Sequence, residues 1–147
     1  MSISTSSFVE LETVGRKVGK NATGFIMVVD DDFDIATLVK ITLQKDGFKN
    51  VFTFTKPSLA LEHFKNNYKD YCLVIADIRM PEMNGFDFAR SVGRIKPEIK
   101  VLLMTAFDIN ADTLNMNTKY NNNIGGIIQK PVSAAKLARI ITAQINL

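Results

Sequence analysis

Cys72-Leu-Val-Ile-Ala-Asp77, continuing into Ile78-Arg79-Met80-Pro81, is the stretch whose reading decides the fold. A run of apolar residues ends in one aspartate, and a turn holding Pro81, Asn84 and Gly85 follows. A short apolar run bounded by turn residues reads as a strand covered on both faces of a sheet. In an open parallel sheet, ligands bind in the crevice beyond the carboxyl ends of the strands. Asp77 stands at such an end.

The same pattern recurs on either side. Phe25-Ile-Met-Val-Val29 ends in Asp30-Asp31-Asp32. Ile35, Leu38, Val39, Thr42 and Leu43 then follow helical spacing as far as Gly47, a good C-terminal stop. Asp32 and Asp34 near the helix start suit its dipole. Val51 to Thr55 alternates, as a strand near a sheet edge does. Pro57 opens a helix marked by Leu59, Leu61, Phe64 and Tyr68. His63, the one histidine, reads as a surface helix position, because no second His or Cys is available to chelate with it.

After Asp77, Asn84 caps a helix outlined by Phe86, Ala89, Val92 and Ile95 and broken by Pro97. Val101 to Met104 is a further strand, ending at Thr105-Ala106. Residues 109–120 carry a weak helical signal through Leu114 and Met116. Six asparagines fall between Asn110 and Asn123, and the sequence predicts a mobile or distorted helix there. Gly126 to Gln129 is the fifth strand, ending at Lys130-Pro131. A proline at that place invites a cis bond. Val132 to Leu147 is the last helix, with Ser133 as its cap and Leu137, Ile140, Ile141 and Ile145 as its buried stripe. Five strands alternating with five helices predict an α/β fold with a parallel sheet and helices on both faces. The flavodoxin-like, doubly wound (βα)5 order 2-1-3-4-5 is one common solution.

Composition agrees. A chain of 147 residues, 46% hydrophobic and 22% charged, suits one globular domain. No apolar run reaches the ~18 residues of a membrane span. Met1 to Ser7 has neither a basic start nor an apolar core, so no secretory signal is read. Cys72, alone and inside a strand, reads as a small buried hydrophobe. These features suit a reducing cytoplasm. The net charge of +3 is small and the Lys and Arg residues are scattered, so neither direct nucleic-acid binding nor a membrane partner is expected. Residues 1–23 fall outside the alternation. They are read as a flexible N-terminal arm before a domain over 24–147, with a docking segment as the sharper alternative.

Four strand ends offer polar groups: Asp30 and Asp31, Asp77, Thr105, and Lys130. In a parallel sheet these share one crevice. Three crowded carboxylates repel one another. A hard divalent cation removes that conflict, and an all-oxygen set suits Mg²⁺ better than zinc. Lys130 adds a point charge and Thr105 a hydroxyl donor. Such a set stabilises charge on phosphoryl oxygens, and a carboxylate can itself accept the phosphoryl group.

Here the chain resembles the receiver domain of two-component response regulators. The resemblance rests on Met27-Val-Val-Asp-Asp31, Val74-Ile-Ala-Asp-Ile-Arg-Met-Pro81, Asn84-Gly85, Leu102-Leu-Met-Thr-Ala106 and Ile128-Gln-Lys-Pro131. These pieces stand in the family's order at nearly its spacing. The resemblance implies that Asp77 takes phosphate from a phosphohistidine of a sensor histidine kinase or phosphotransfer protein. It implies Mg²⁺ held by Asp31, Asp77 and the backbone carbonyl of Arg79, with Asp30 acting through water. Lys130 would pair with the phosphoryl group, and Thr105 would move in to bond it, switching the surface shown to a downstream protein target. Three departures stand out. Ile127 occupies the place where the family often has a switching aromatic. Arg79 and Phe107 put bulk where the family tunes acyl-phosphate hydrolysis, so slow dephosphorylation is expected. The segment from Thr105 to Lys130 is somewhat long.

The expectation is a stand-alone receiver of the chemotaxis-regulator type, with output through a partner on its last two helices or through a relay. A flavin or nucleotide binder of the same topology is the second class, and Asp30, Asp31 and Asp32 oppose it by repelling phosphate. A Mg²⁺-dependent phosphatase with an aspartyl nucleophile is the third; Arg79 fills the place where its general acid would stand. A receiver that binds partners without phosphorylation is the fourth.

Overall fold

A computed structural model describes residues 23–108, 110–112, 115 and 121–145. Five parallel strands form one sheet: β1 (Phe25–Val29), β2 (Asn50–Phe54), β3 (Tyr71–Asp77), β4 (Val101–Thr105) and β5 (Ile124–Gln129). Their order is β2-β1-β3-β4-β5, the doubly wound arrangement the sequence predicts. Four helices lie among the described residues: α1 (Phe33–Lys45), α2 (Pro57–Asn67), α3 (Gly85–Ile95) and α4 (Ala134–Ile145). A single 3₁₀ turn, Tyr68–Asp70, leads into β3. The predicted arm over 1–23 and the predicted helix over 109–120 lie mostly outside the described residues.

The strands are apolar on both faces because helices cover both. Met27, Val29, Val74, Ala76, Val101 and Leu103 point to one side and pack with Phe64 of α2 and Phe88, Ala89 and Val92 of α3. Their neighbours Ile26, Val28, Leu73, Ile75, Leu102 and Met104 point to the other side. There they pack with Val39 and Leu43 of α1 and Leu137 and Ile141 of α4. The period of two along each strand therefore builds two cores at once.

Local chemistry sets most boundaries. Asp32 caps α1 by accepting from the amides of Asp34 (2.9 Å) and Ile35 (3.3 Å). Gly47, at φ 100°, ends the helix in the left-handed region that glycine enters freely. Asn84 accepts from Asp87 N at the start of α3, and Ser133 Oγ from Lys136 N at the start of α4. Lys130-Pro131 is a cis peptide bond.

Four readings need correction. Leu38 is 60% exposed, and α1 instead buries Ala36, Val39 and Leu43. At 100° per residue Leu38 lies a full step off that stripe. β5 begins at Ile124, two residues before the predicted start, because buried Asn123 donates its side-chain amide to Ala89 O (2.8 Å) and ties the approach to α3. His63 is half-buried rather than on the surface. Its Nδ1 lies 2.8 Å from the Tyr71 hydroxyl, and its ring packs against Phe52 and Phe54. Cys72 is half-buried at the rim of a core rather than inside it.

Gly85 lets α3 close down on the end of β3. A Cβ built there would stand 2.5 Å from Asp77 O and 3.0 Å from Leu103 Cδ2. Gly85→Ala should therefore destabilise the domain by about 2 kcal/mol through overpacking. Thermal unfolding should show a Tm lower by about 4–8 °C; an unchanged Tm would mean that the loop yields.

Candidate functional site

The carboxyl ends of β1, β3, β4 and β5 open on one rim, because parallel neighbours end together. Asp77 faces Met104 in the β3–β4 register, and Thr105 faces Gln129 in the β4–β5 register. Backbone bonds stitch the rim beyond the strands. Ile78 N donates to Met104 O (2.9 Å), and Lys130 N donates to Thr105 O (2.7 Å).

Asp30, Asp31 and Asp77 each place a carboxylate oxygen within 4.8 Å of the others. Asp30 and Asp77 are buried, at 3% and 9% exposure, while Asp31 faces solvent. Asp30 is also the organiser of its loop. Its Oδ1 accepts from Asp32 N (2.9 Å), and its Oδ2 accepts from Lys130 Nζ (2.7 Å). Asp31 has no hydrogen-bond or ion-pair partner among the described residues. Lys130 crosses from β5 and also reaches Asp77 Oδ1 at 3.4 Å. So the structure brings Asp30 and Asp77 together around the Lys130 ammonium, with Asp31 beside the two acids.

The electrostatics follow from that crowding. Burial pushes the Asp77 carboxyl above the usual carboxylate range, and the Asp30 charge pushes it further; Lys130 opposes both without cancelling them. Burial alone would pull the Lys130 ammonium down, but its bond to Asp30 and the nearby Asp77 charge outweigh burial and raise it. The linkage for Asp77 has a definite sign. A raised folded pKa means that its contribution to stability is fully present below the unfolded value and is lost as pH climbs through the folded one. Wherever Asp77 is ionised, its charge is a cost to the fold.

Thr105 sits on the same rim and is buried, but its hydroxyl is turned onto the loop after β4. It accepts from Phe107 N (3.0 Å) and donates to Phe107 O (3.2 Å). Phe107 in turn lies under the Arg79 guanidinium, 4.3 Å from ring centroid to Cζ. The sequence names both residues but gives no sign that they touch across two loops. Ile127 is half-buried in β5, packed against the core that holds Phe88 and Val92. The sequence reading also misses Glu82, whose carboxylate joins the β3–α3 loop to Ser58. The turn run Pro81-Glu82-Met83-Asn84 is the signal that could have drawn attention to it.

No helix among the described residues is long and apolar enough to cross a membrane. The response regulator receiver domain profile matches residues 26–142. Response regulator SaeR of Staphylococcus aureus is 30% identical over 114 residues, which make up 76% of this chain and 46% of that protein. The chain thus spans about half the length of the curated relatives it matches. A response regulator receiver domain protein from Clostridium thermocellum superposes with a TM-score of 0.72 at 29% identity, covering 84% of this chain and 94% of that one. Response regulator TrrA of Thermotoga maritima, solved in complex with Mg²⁺-BeF, gives a TM-score of 0.70 at 26% identity, covering 82% and 98%. With the sheet order, the acid cluster and the matched profile in agreement, this chain belongs to the receiver-domain family of two-component response regulators.

Proposed function

We propose that this signalling domain accepts a phosphoryl group on Asp77 from a phosphohistidine of a sensor histidine kinase or phosphotransfer protein, and that the modified rim alters the surface offered to a downstream protein. The observation that carries this reading is Lys130 Nζ between Asp30 and Asp77, at 2.7 and 3.4 Å. A fixed ammonium beside a buried carboxylate is an arrangement for receiving a doubly charged group.

The donor set fits Mg²⁺. Three carboxylates within 4.8 Å offer only oxygen, and Asp31 is open to water. Asp31, Asp77 and the backbone carbonyl of Arg79 would hold the ion. Asp30, with both oxygens already accepting hydrogen bonds, would act through water. When bound, the ion supplies charge neutralisation at the acids and on the phosphoryl oxygens. In transfer, an Asp77 oxygen attacks phosphorus and a P–O bond forms. The P–N bond to the donor imidazole breaks, and its electron pair stays on that nitrogen. The Lys130 ammonium pairs with the transferred oxygens. The Thr105 hydroxyl leaves Phe107 O and donates to one of them.

Phe33, Leu38 and Ile41 expose 67%, 60% and 44% of their surfaces. This apolar strip on α1 begins one residue beyond the acidic loop, and it supports docking of the phosphodonor protein there. Downstream contact is assigned to the last helices, of which α4 is described.

Treatment with acetyl phosphate and Mg²⁺ should add one phosphoryl group to the intact mass of the parent and none to Asp77→Asn; equal labelling of both would sink the assignment. The same variant should raise the metal-free Tm relative to the parent increasingly as pH climbs through the Asp77 pKa, since it removes a carboxylate whose ionisation opposes folding. The Arg79–Phe107 stack supports slow hydrolysis of the acyl phosphate by obstructing water. Parent phospho-Asp77 should outlast seconds in Mg²⁺, and Arg79→Ala with Phe107→Ala should shorten its half-life about fivefold, equivalent to about 1 kcal/mol of barrier. Phosphate release assays read both. Leu38→Asp should slow labelling by a phosphorylated kinase about tenfold, the effect of 1.4 kcal/mol, yet leave acetyl phosphate labelling unchanged. Equal loss with both donors would refute docking on α1.

A further inference from the structure

Glu82 is the one non-glycine residue with positive φ among the described residues, at 77°. Left-handed backbone strains any residue with a Cβ, and glycine or asparagine would sit there more easily. The Glu82 side chain is committed elsewhere in the fold. Its Oε1 accepts from the Ser58 amide (3.1 Å), and its Oε2 accepts from the Ser58 hydroxyl (3.3 Å). α2 lacks a cap of its own: Lys56 at the N-cap makes no side-chain cap bond, and the first turn holds no acid. Pro57 at the first position has no N–H, so Ser58 carries the first donor of the helix. Glu82 caps α2 from a different loop, its carboxylate at the positive end of the helix dipole.

The loop so tied is residues 78–84, which includes Arg79. Its ends are fixed by backbone and cap bonds: Ile78 N to Met104 O, Gly85 N to Ile78 O, and Asp87 N to the Asn84 side chain. Its middle holds the Met83 N to Pro81 O turn bond and the half-buried side chains of Met80 and Met83. Among the described residues, the Glu82–Ser58 pair is what joins that middle to another element by polar contacts.

We propose that Glu82 is a positioning residue for the cation site: by clamping the β3–α3 loop to α2 it sets the Arg79 backbone beside Asp77 before the metal arrives. This rests on the Mg²⁺ reading above. The strain at Glu82 is retained because a glycine would relax the backbone and lose the clamp.

The test titrates the metal-free full chain with MgCl₂ by calorimetry, and measures amide exchange of residues 79–83 without metal. Glu82→Ala should weaken Mg²⁺ binding about tenfold, the lower end for partners that hold metal ligands in place, and should speed exchange. Glu82→Gln, which keeps an acceptor for the Ser58 amide, should remain within about twofold of the parent on the same scale. Glu82→Gly relieves the backbone, so its Tm should be no lower than that of Glu82→Ala, while its Mg²⁺ affinity should fall as far. That separation of affinity from stability is what a purely structural cap would not produce. Parent-like Mg²⁺ binding and exchange in both Ala and Gly variants would overturn the role of Glu82 alone. Failure of the parent to bind Mg²⁺ would overturn the cation reading, and the proposal with it.

Discussion

Two buried carboxylates facing one ammonium set the terms for the rest of this molecule. Asp30 and Asp77 share Lys130, a residue one hundred positions further along the chain than Asp30. Buried charge is tolerable only where it is paired and hydrogen-bonded. The pairing needs β5 to finish level with β1 and β3, which the parallel register and the Lys130 N to Thr105 O bond ensure. Yet one ammonium cannot neutralise three acids. Burial and the Asp30 charge still hold Asp77 above its ordinary pKa, and a cation or an added proton would relieve that cost.

The rim therefore divides into fixed and movable parts. The Asp77 backbone is held by the strand behind it and by the close approach of Gly85 to its carbonyl. Asp30 is fixed by an amide on one oxygen and an ammonium on the other. Thr105 is different. Its backbone belongs to β4, but among the described residues its hydroxyl bonds only with the following loop, where Phe107 is half exposed. Polar groups on strand ends, one of them a hydroxyl bonded to an exposed loop, would suit a site that receives a group without unfolding and changes shape afterwards.

Much of this was legible in the sequence because the signals are local. Apolar runs of strand length, acids at the start of α1, caps at Asn84 and Ser133, and polar residues directly after each run fix strands, helix starts and rim together. The failures share a cause. Leu38 is apolar and close to helical spacing, but only the packing of α1 on the sheet shows that the stripe runs through Ala36 instead. Asn123 looks like loop composition until its amide meets Ala89 O. His63 finds Tyr71 and two phenylalanines that no spacing rule connects to it. Glu82 and the Arg79–Phe107 stack join loops distant in sequence, and such pairs have no periodicity to read. The sequence names residues well where chain direction places them, and poorly where one side chain answers another across the fold.

The balance at Thr105 shows why the distant pairs matter for switching. In the structure its hydroxyl is satisfied twice by Phe107, as acceptor and as donor. Giving up a neutral donor bond costs about 1 kcal/mol net, whereas a bond to a charged oxygen contributes about 1.5–3 kcal/mol. The exchange alone favours a phosphoryl acceptor by a margin of about 1 kcal/mol. Moving the loop also disturbs Phe107 under Arg79, and an exposed cation–π contact is worth about 0.5–1 kcal/mol. The two terms nearly offset. On the proposed reading, two arrangements of this loop would lie close in free energy, and a single charged group at Asp77 would shift their populations. On that reading, bulk at positions 79 and 107 would do more than obstruct water: it would adjust the equilibrium through which the rim reports its charge.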